Sequence, residues 1–198
     1  MKTSQLIIGV GYRMGVGKDE VANQLCRRGY KVLRFADALK EAACTIFGWK
    51  RSDLEDLNFK MTVDEFWGET PRALLQRMGT EAMRNNIRDD VWIQALRRRI
   101  TASGADRIVI PDVRFVNEAE AVKSWGGYVL KVTRPGFEAP GITQAQAKHS
   151  SETEMDAYDA WDGHMVNSGT IAELREGAGG FAGMWEKEHA DRRANSRG

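Results

Sequence analysis

The densest chemistry in this sequence lies in Gly11-Tyr12-Arg13-Met14-Gly15-Val16-Gly17-Lys18. Glycines let backbone N–H groups turn inward around an anion, and a helix N-terminus directly behind them adds a favourable dipole. Gly15, Val16 and Gly17, with Arg13 beside them, therefore read as a phosphate cradle. Lys18 is placed to reach the β- and γ-phosphates of a bound nucleotide. Two positions depart from the usual spacing. Tyr12 stands where glycine is expected, with Gly11 one residue early, and the hydroxyl residue that normally follows the lysine and binds Mg²⁺ is replaced by Asp19 and then Glu20. The bland alternative is a glycine-rich turn that only closes a strand–helix unit.

Arginines supply the second candidate set. Transfer of a phosphoryl group to an acceptor that is already ionised needs little acid–base help; it needs cations that hold two polyanions together. Arg72 follows Thr70-Pro71, an N-cap and first-turn proline, so a rigid helix would aim its planar fork. Arg114 follows Asp112 at the end of the apolar run Ile108–Ile110. Arg72 could equally be a solvated first-turn side chain, and Asp112 a helix N-cap. The run Arg97-Arg98-Arg99 reads as a solvated helix face, and Met61, Met78 and Met83 as gap-filling core residues.

Alternating strands and helices must position these groups. Gln5–Gly11 reads as a buried strand, Lys18–Arg28 as a helix stopped by Gly29, Lys31–Phe35 as a second strand and Ala38–Phe47 as a second helix. Residues Arg51–Asn58 suit a surface loop or short helix. A helix opens at Thr70-Pro71 with Leu74, Leu75 and Met78 inward, and another covers Asp89–Thr101. Then come a strand at Ile108–Ile110, a helix at Glu118–Trp125, strands at Tyr128–Val132 and Met165–Asn167, and a helix over Thr170–Glu176. Pro135–Ser151 reads as a polar loop, and Ala190–Gly198 as a frayed tail. The pattern predicts an α/β protein with a mainly parallel sheet and ligands at the carboxyl ends of its strands.

Composition narrows the function classes. The 198 residues suit one domain, with 42% hydrophobic and 29% charged residues. A net charge of +1 argues against a dedicated nucleic-acid binder. No apolar run reaches membrane-spanning length, and Cys26, Cys44, His149, His164 and His189 are too scattered for a disulfide framework or structural zinc site. A cytoplasmic location is the expectation.

Further blocks accompany the glycine loop in order: Phe35-Ala36-Asp37-Ala38-Leu39-Lys40, Thr70-Pro71-Arg72-Ala73-Leu74-Leu75-Gln76, Gly79-Thr80-Glu81, Asp90-Val91-Trp92, Asp112-Val113-Arg114-Phe115-Val116-Asn117-Glu118-Ala119, Arg134-Pro135-Gly136 and His149-Ser150-Ser151-Glu152. Together with Gly15-Val16-Gly17-Lys18-Asp19, this series resembles the bacteriophage deoxynucleoside monophosphate kinases, within the P-loop nucleotide kinases. The resemblance implies a three-layer P-loop fold in a single domain, residues 1–198, with a helical monophosphate-binding region at about 36–104 and a lid at about 134–156. It implies ATP and Mg²⁺ as donor and cofactor, and a deoxynucleoside monophosphate as substrate.

Residue by residue, the resemblance assigns catalysis to Lys18, Arg72, Asp112, Arg114 and Arg134, and nucleotide binding to Arg13, Gly15, Val16, Gly17, Lys18, Asp19, Glu20 and Asn167. Substrate contacts fall to Asp37, Lys40, Arg72, Arg88, Trp92, Arg114 and Glu118, and Mg²⁺ to Asp19 and Asp112, directly or through water. Lys40 equally fits a surface lysine and Trp92 a core position. Arg134 and Lys148 would close the lid, with His149 and Glu152 as its anchoring partners. Aspartate after the lysine suits this family, whereas Glu20 replaces a usual threonine. Alternatives are another small-molecule P-loop kinase of the dephospho-coenzyme A type, a nucleotide-binding ATPase without an acceptor, and a degenerate ATP-binding module. No stable nucleic-acid or membrane partner is expected, and a homodimer is left open.

Overall fold

Leu6–Gly11 forms strand β1, and all six of its residues are buried. A strand apolar on both faces belongs in the middle of a covered parallel sheet, and β1 lies there. The computed structural model describes residues 5–137 and 144–195, apart from the side chains of 145 and 146. Within them β2 (Lys31–Val32), β3 (Arg107–Val113), β1, β4 (Tyr128–Thr133) and β5 (Gly163–Val166) make one sheet in the order β2-β3-β1-β4-β5. Every pairing is parallel.

The helices are α1 (Lys18–Arg27), α2 (Ala36–Phe47), α3 (Leu57–Met61), α4 (Pro71–Gln76), α5 (Val91–Ser103), α6 (Val116–Ser124), α7 (Gln144–Ala147), α8 (Ser150–Thr153) and α9 (Ile171–Asn195). Side chains alternate across a strand, so β1 feeds two cores. Leu6, Ile8 and Val10 pack with Val21, Ala22 and Leu25 of α1 and with Leu174, Ala178, Ala182 and Trp185 of α9. Ile7 faces the opposite layer, with Trp92, Ile93, Leu96 and Ile100 of α5 and Ala119 and Val122 of α6. These are the three layers expected from the resemblance. A smaller cluster of Ala43, Trp49 and Leu54, flanked by Leu74, Leu75 and Met78, binds the helices between β2 and α5 together.

Several boundaries differ from the sequence expectation. β2 ends at Val32 rather than Phe35, because Phe35 and Ala36 donate their backbone N–H groups to the Asp112 carboxylate (3.1 and 2.9 Å) and start α2 there. The helix opened by Thr70 is capped as expected, Ala73 N donating to Thr70 Oγ1 at 3.2 Å. It then continues as a π-helical stretch, Arg77–Arg84.

The last helix does not stop at Glu176: α9 reaches Asn195, so the tail expected to fray from Ala190 is helical as far as Asn195, and 196–198 lie outside the described residues. Burial supplies what propensity lacks: Ala178 and Ala182 are nearly fully covered, and Trp185 stacks on Tyr128 at 5.0 Å. Glu186 accepts hydrogen bonds from Arg28, Tyr30 and Arg107 at 2.8–3.3 Å. The expected lid, about 134–156, lies partly outside the described residues; those described within it include α7 and α8. No helix among the described residues is long and apolar enough to cross a membrane.

Candidate functional site

The glycine loop joins β1 to α1 at the carboxyl edge of the sheet. Gly15 and Gly17 take left-handed φ values of 77° and 108°, which a residue with a Cβ adopts only at a cost. Tyr12 takes φ 101° without being glycine. This is a conformation that favours glycine, so Tyr12 holds it as local backbone strain. The Tyr12 ring is held by Lys131, whose Nζ lies 4.5 Å from its centroid. Asn167, just after β5, donates from Nδ2 to Val16 O at 3.0 Å and so braces the loop from outside.

Lys18 is turned back into the loop, Nζ donating to Tyr12 O at 3.0 Å and to Arg13 O. Its side chain is buried, and desolvation, reinforced by the nearby Arg114 charge, lowers its pKa to about 7. A bound polyphosphate would supply the missing counter-charge.

Two clefts share Glu152 as a lining residue, and Glu152 accepts from the backbone of this loop at Met14. The first is walled by Phe35, Leu39, Trp92 and Phe115, with Arg72, Asp112, Arg114, Lys40 and Glu118 also lining it. Trp92 is fixed there by Nε1 donating to Gly79 O at 2.9 Å. Arg84 and Glu118 form a buried pair, and Arg84 stacks over Phe115 at 3.9 Å. Burial pushes the Glu118 carboxyl up to about 7 against the pull of Arg84 and of the Arg114 and Phe115 amides. Burial likewise raises Asp112, opposed by the Ala36 and Phe35 N–H groups. Asp112 does cap a helix, but it caps α2 rather than the helix that follows it.

Arg72, from α4, and Arg114, after β3, converge on Glu152. Glu152 Oε1 accepts from Arg72 Nη2 at 3.3 Å and from Arg114 Nη1 at 2.5 Å, and Oε2 accepts from Met14 N at 3.1 Å. Burial raises the Glu152 carboxyl, but Arg114, the Met14 amide, Arg72 and Lys18 outweigh it and hold it below the usual carboxylate range. Arg72 Nε is buried without a hydrogen-bond partner. The structure thus brings together the two arginines expected near an acceptor phosphate, with one carboxylate oxygen between them.

The second cleft is lined by Tyr12, Arg13, Met14, Val16, Arg134 and Phe137, among others. Arg134 lies 4.7 Å over the Phe137 ring, which packs against Gly15. Arg13 is paired with Asp156 at 2.6 Å.

Other expected site residues are directed elsewhere. Glu20 pairs with Arg175 of α9 at 2.5 Å, turned to the outer helix layer instead of the loop. Asp37 is held by Arg51 at 3.0 Å and lines neither cleft. Arg88 is an exposed side chain bound to Asp90, two residues away, and also lines neither cleft. Asp19 is 81% exposed and touches Arg34 at 3.0 Å. Lys40 reaches the first cleft but is shared with Glu55 at 3.0 Å. Lys148 is exposed, and His149 caps α8, its Nδ1 accepting from Ser151 N at 3.2 Å.

Sequence reasoning had not placed Gln76, Thr80, Arg84 and Lys60 in the first cleft. Gln76 and Thr80 lie within the blocks that carried the resemblance, whereas Lys60 left no signal. Among the described residues no group of three or more His, Cys, Asp or Glu could hold a metal.

Comparison with known proteins shows the family of this chain. The deoxynucleotide monophosphate kinase family model matches residues 61–177. A mimivirus (Acanthamoeba polyphaga mimivirus) protein, provisionally named a deoxynucleotide monophosphate kinase, is 32% identical over 187 residues, covering 85% of this chain and 92% of its own. The deoxynucleotide monophosphate kinase of Enterobacteria phage T4 is 27% identical over 115 residues, 57% of this chain and 44% of its own. Among solved structures, TT1252 from Thermus thermophilus superposes with a TM-score of 0.56 at 19% identity, covering 91% of this chain and 97% of that one, which speaks for the fold alone. With a P-loop, a cleft edged by paired arginines and a family match across most of its length, the chain belongs to the deoxynucleotide monophosphate kinase family.

Proposed function

We propose that this kinase transfers the γ-phosphoryl group of ATP to a deoxynucleoside monophosphate, with Mg²⁺, to give the diphosphate. The observation that carries the assignment of the two clefts is the convergence of Arg72 and Arg114 on one oxygen beside the glycine loop. The first cleft takes the monophosphate: its base lies among the aromatic walls and its phosphate meets the two arginines. Arg72 Nε supports this assignment, because a buried unpaired donor costs about 1–3 kcal/mol that a phosphate oxygen would recover. The second cleft and the glycine loop take the donor.

An acceptor phosphate oxygen attacks the γ-phosphorus as its bond to the β–γ bridging oxygen breaks. No proton has to move first, because the acceptor is already ionised. Lys18 leaves the Tyr12 and Arg13 carbonyls for the phosphates, and Arg72 and Arg114 hold the acceptor in line. Arg134, next to the glycine loop, would meet the transferred group from the lid side and help exclude water. Asp112 and Asp19 would hold Mg²⁺, largely through water; the ion supplies charge neutralisation on the phosphates. The chain acts as one kinase domain in this scheme, the helical region at about 36–104 shaping the acceptor site and about 134–156 serving as a lid whose far end is anchored at His149 and Glu152.

A coupled assay presenting ATP with each nucleoside and deoxynucleoside monophosphate in turn tests the proposal. Turnover with at least one deoxynucleoside monophosphate is expected. Phosphorylation of dephospho-coenzyme A instead, or ATP hydrolysis without acceptor, would overturn it.

A further inference from the structure

Glu152 lines both clefts, so it stands where donor and acceptor sides meet. Its side chain is only 6% exposed, and it still satisfies three donors from three separate segments: Arg72 of α4, Arg114 after β3, and the Met14 amide of the glycine loop. Two guanidinium groups sharing one carboxylate oxygen are close enough to repel each other, and the anion between them fixes their separation.

The segment that carries Glu152 is pinned on several sides. His149 caps α8, Val116 N donates to Glu154 Oε1 at 3.0 Å, and Asp156 is paired with Arg13. Met155 and Tyr158 are buried in the core layer that faces α5 and α6. Glu152 is therefore held in place by the fold. It also leaves both arginines usable. Among the described residues Arg114 Nε and Nη2 make no hydrogen bond, and Arg72 Nε has no partner. Each guanidinium gives Glu152 part of its donor set and keeps part for a phosphate.

We propose that Glu152 is a positioning residue: it sets the spacing of Arg72 and Arg114 and ties that pair to Met14 of the glycine loop, so that acceptor and donor phosphates meet in register. It touches neither substrate and acts through the arginines. The inference rests on the assignment of Arg72 and Arg114 to the acceptor phosphate.

The experiment is steady-state kinetics of the full chain with ATP and its best deoxynucleoside monophosphate, separating kcat from each KM. Glu152→Gln keeps the shape and removes the charge. It should lower kcat by about a hundredfold, the usual cost of a small misplacement of reacting groups, with the KM for ATP within about twofold of the parent. Combined with Arg114→Ala, the same change should cost less than about threefold further, because residues that act as a unit are not additive. Glu152→Asp keeps the charge but is one methylene too short to span all three donors, and should lose at least about tenfold in kcat.

A Glu152→Gln kcat within threefold of the parent overturns the inference, as does a second full hundredfold loss on top of Arg114→Ala. Should circular dichroism show that the Gln variant does not fold, parent-like kcat in the Asp variant overturns it equally. Failure of the acceptor assignment looks different: Arg72→Ala and Arg114→Ala would leave the monophosphate KM unchanged, which overturns that assignment and this inference together.

Discussion

Replacing Lys18 by methionine should destroy catalysis and, in the same protein, stabilise the ligand-free fold. The free amine is buried against the Tyr12 and Arg13 carbonyls, with its pKa lowered from 10.5 to about 7. That fall means the folded state holds the charged lysine about 5 kcal/mol less well than the unfolded chain does. The unfolded chain binds this proton up to about 10.5 and the folded chain only up to about 7. The penalty is therefore complete below pH 7, and it fades as pH rises towards 10.5, so folding gains stability over that window. Methionine keeps most of the apolar stem and removes the charge.

Loss of the donor to two carbonyls returns about 2 kcal/mol of the gain, leaving a net stabilisation of roughly 2–3 kcal/mol at pH 6.5. For a chain of this size that is a rise in Tm of roughly 4–12 °C. Thermal unfolding followed by circular dichroism, without nucleotide, at pH 6.5, 8 and 9.5 measures it. The gap between variant and parent should shrink with pH by up to about 1.4 kcal/mol per pH unit above 7. Turnover should fall on the order of a thousandfold or more. A variant no more stable than the parent at pH 6.5, or a gap that does not change with pH, would refute the account of Lys18 as a buried cation awaiting phosphate.

Arg72→Lys and Arg114→Lys retain charge but lose the two-pronged grip, so each should lower kcat/KM for the monophosphate by about tenfold or more; parent-like values in both would remove the acceptor assignment. Asp112→Asn should raise the Mg²⁺ concentration needed for half-maximal rate several-fold, by order of magnitude of one lost anionic partner, and an unchanged metal titration counts against its role. It should also cost about 1 kcal/mol in urea unfolding, since an amide accepts at only one oxygen and leaves Phe35 N or Ala36 N unpaired. Glu20→Thr breaks only the partly exposed pair with Arg175, so stability should change by less than about 1 kcal/mol and activity should hold or rise; abolished activity would make Glu20 the functional acid.

Much of this protein was legible without coordinates, and the reason is local. The glycines around Lys18, the Thr70-Pro71 cap and the apolar runs of β1, β3 and β4 depend on steric and hydrogen-bond rules that act within a few residues. They determined the α/β alternation, the phosphate loop and the place where Arg72 enters a helix. Tertiary structure decided whatever depends on a partner far along the chain. Asp112 sets the start of α2 although 76 residues separate it from Ala36. Packing of Ala178, Ala182 and Trp185 against α1 and the sheet carries α9 through glycines that by propensity would end it. Likewise, Asp19 and Glu20 are adjacent carboxylates next to Lys18, and only the fold gives them separate partners on different elements, Arg34 and Arg175. Glu152 is the extreme case. From the sequence it was expected only to anchor a lid, because its actual partners are three donors 38, 80 and 138 residues away that only the folded sheet brings to one carboxylate.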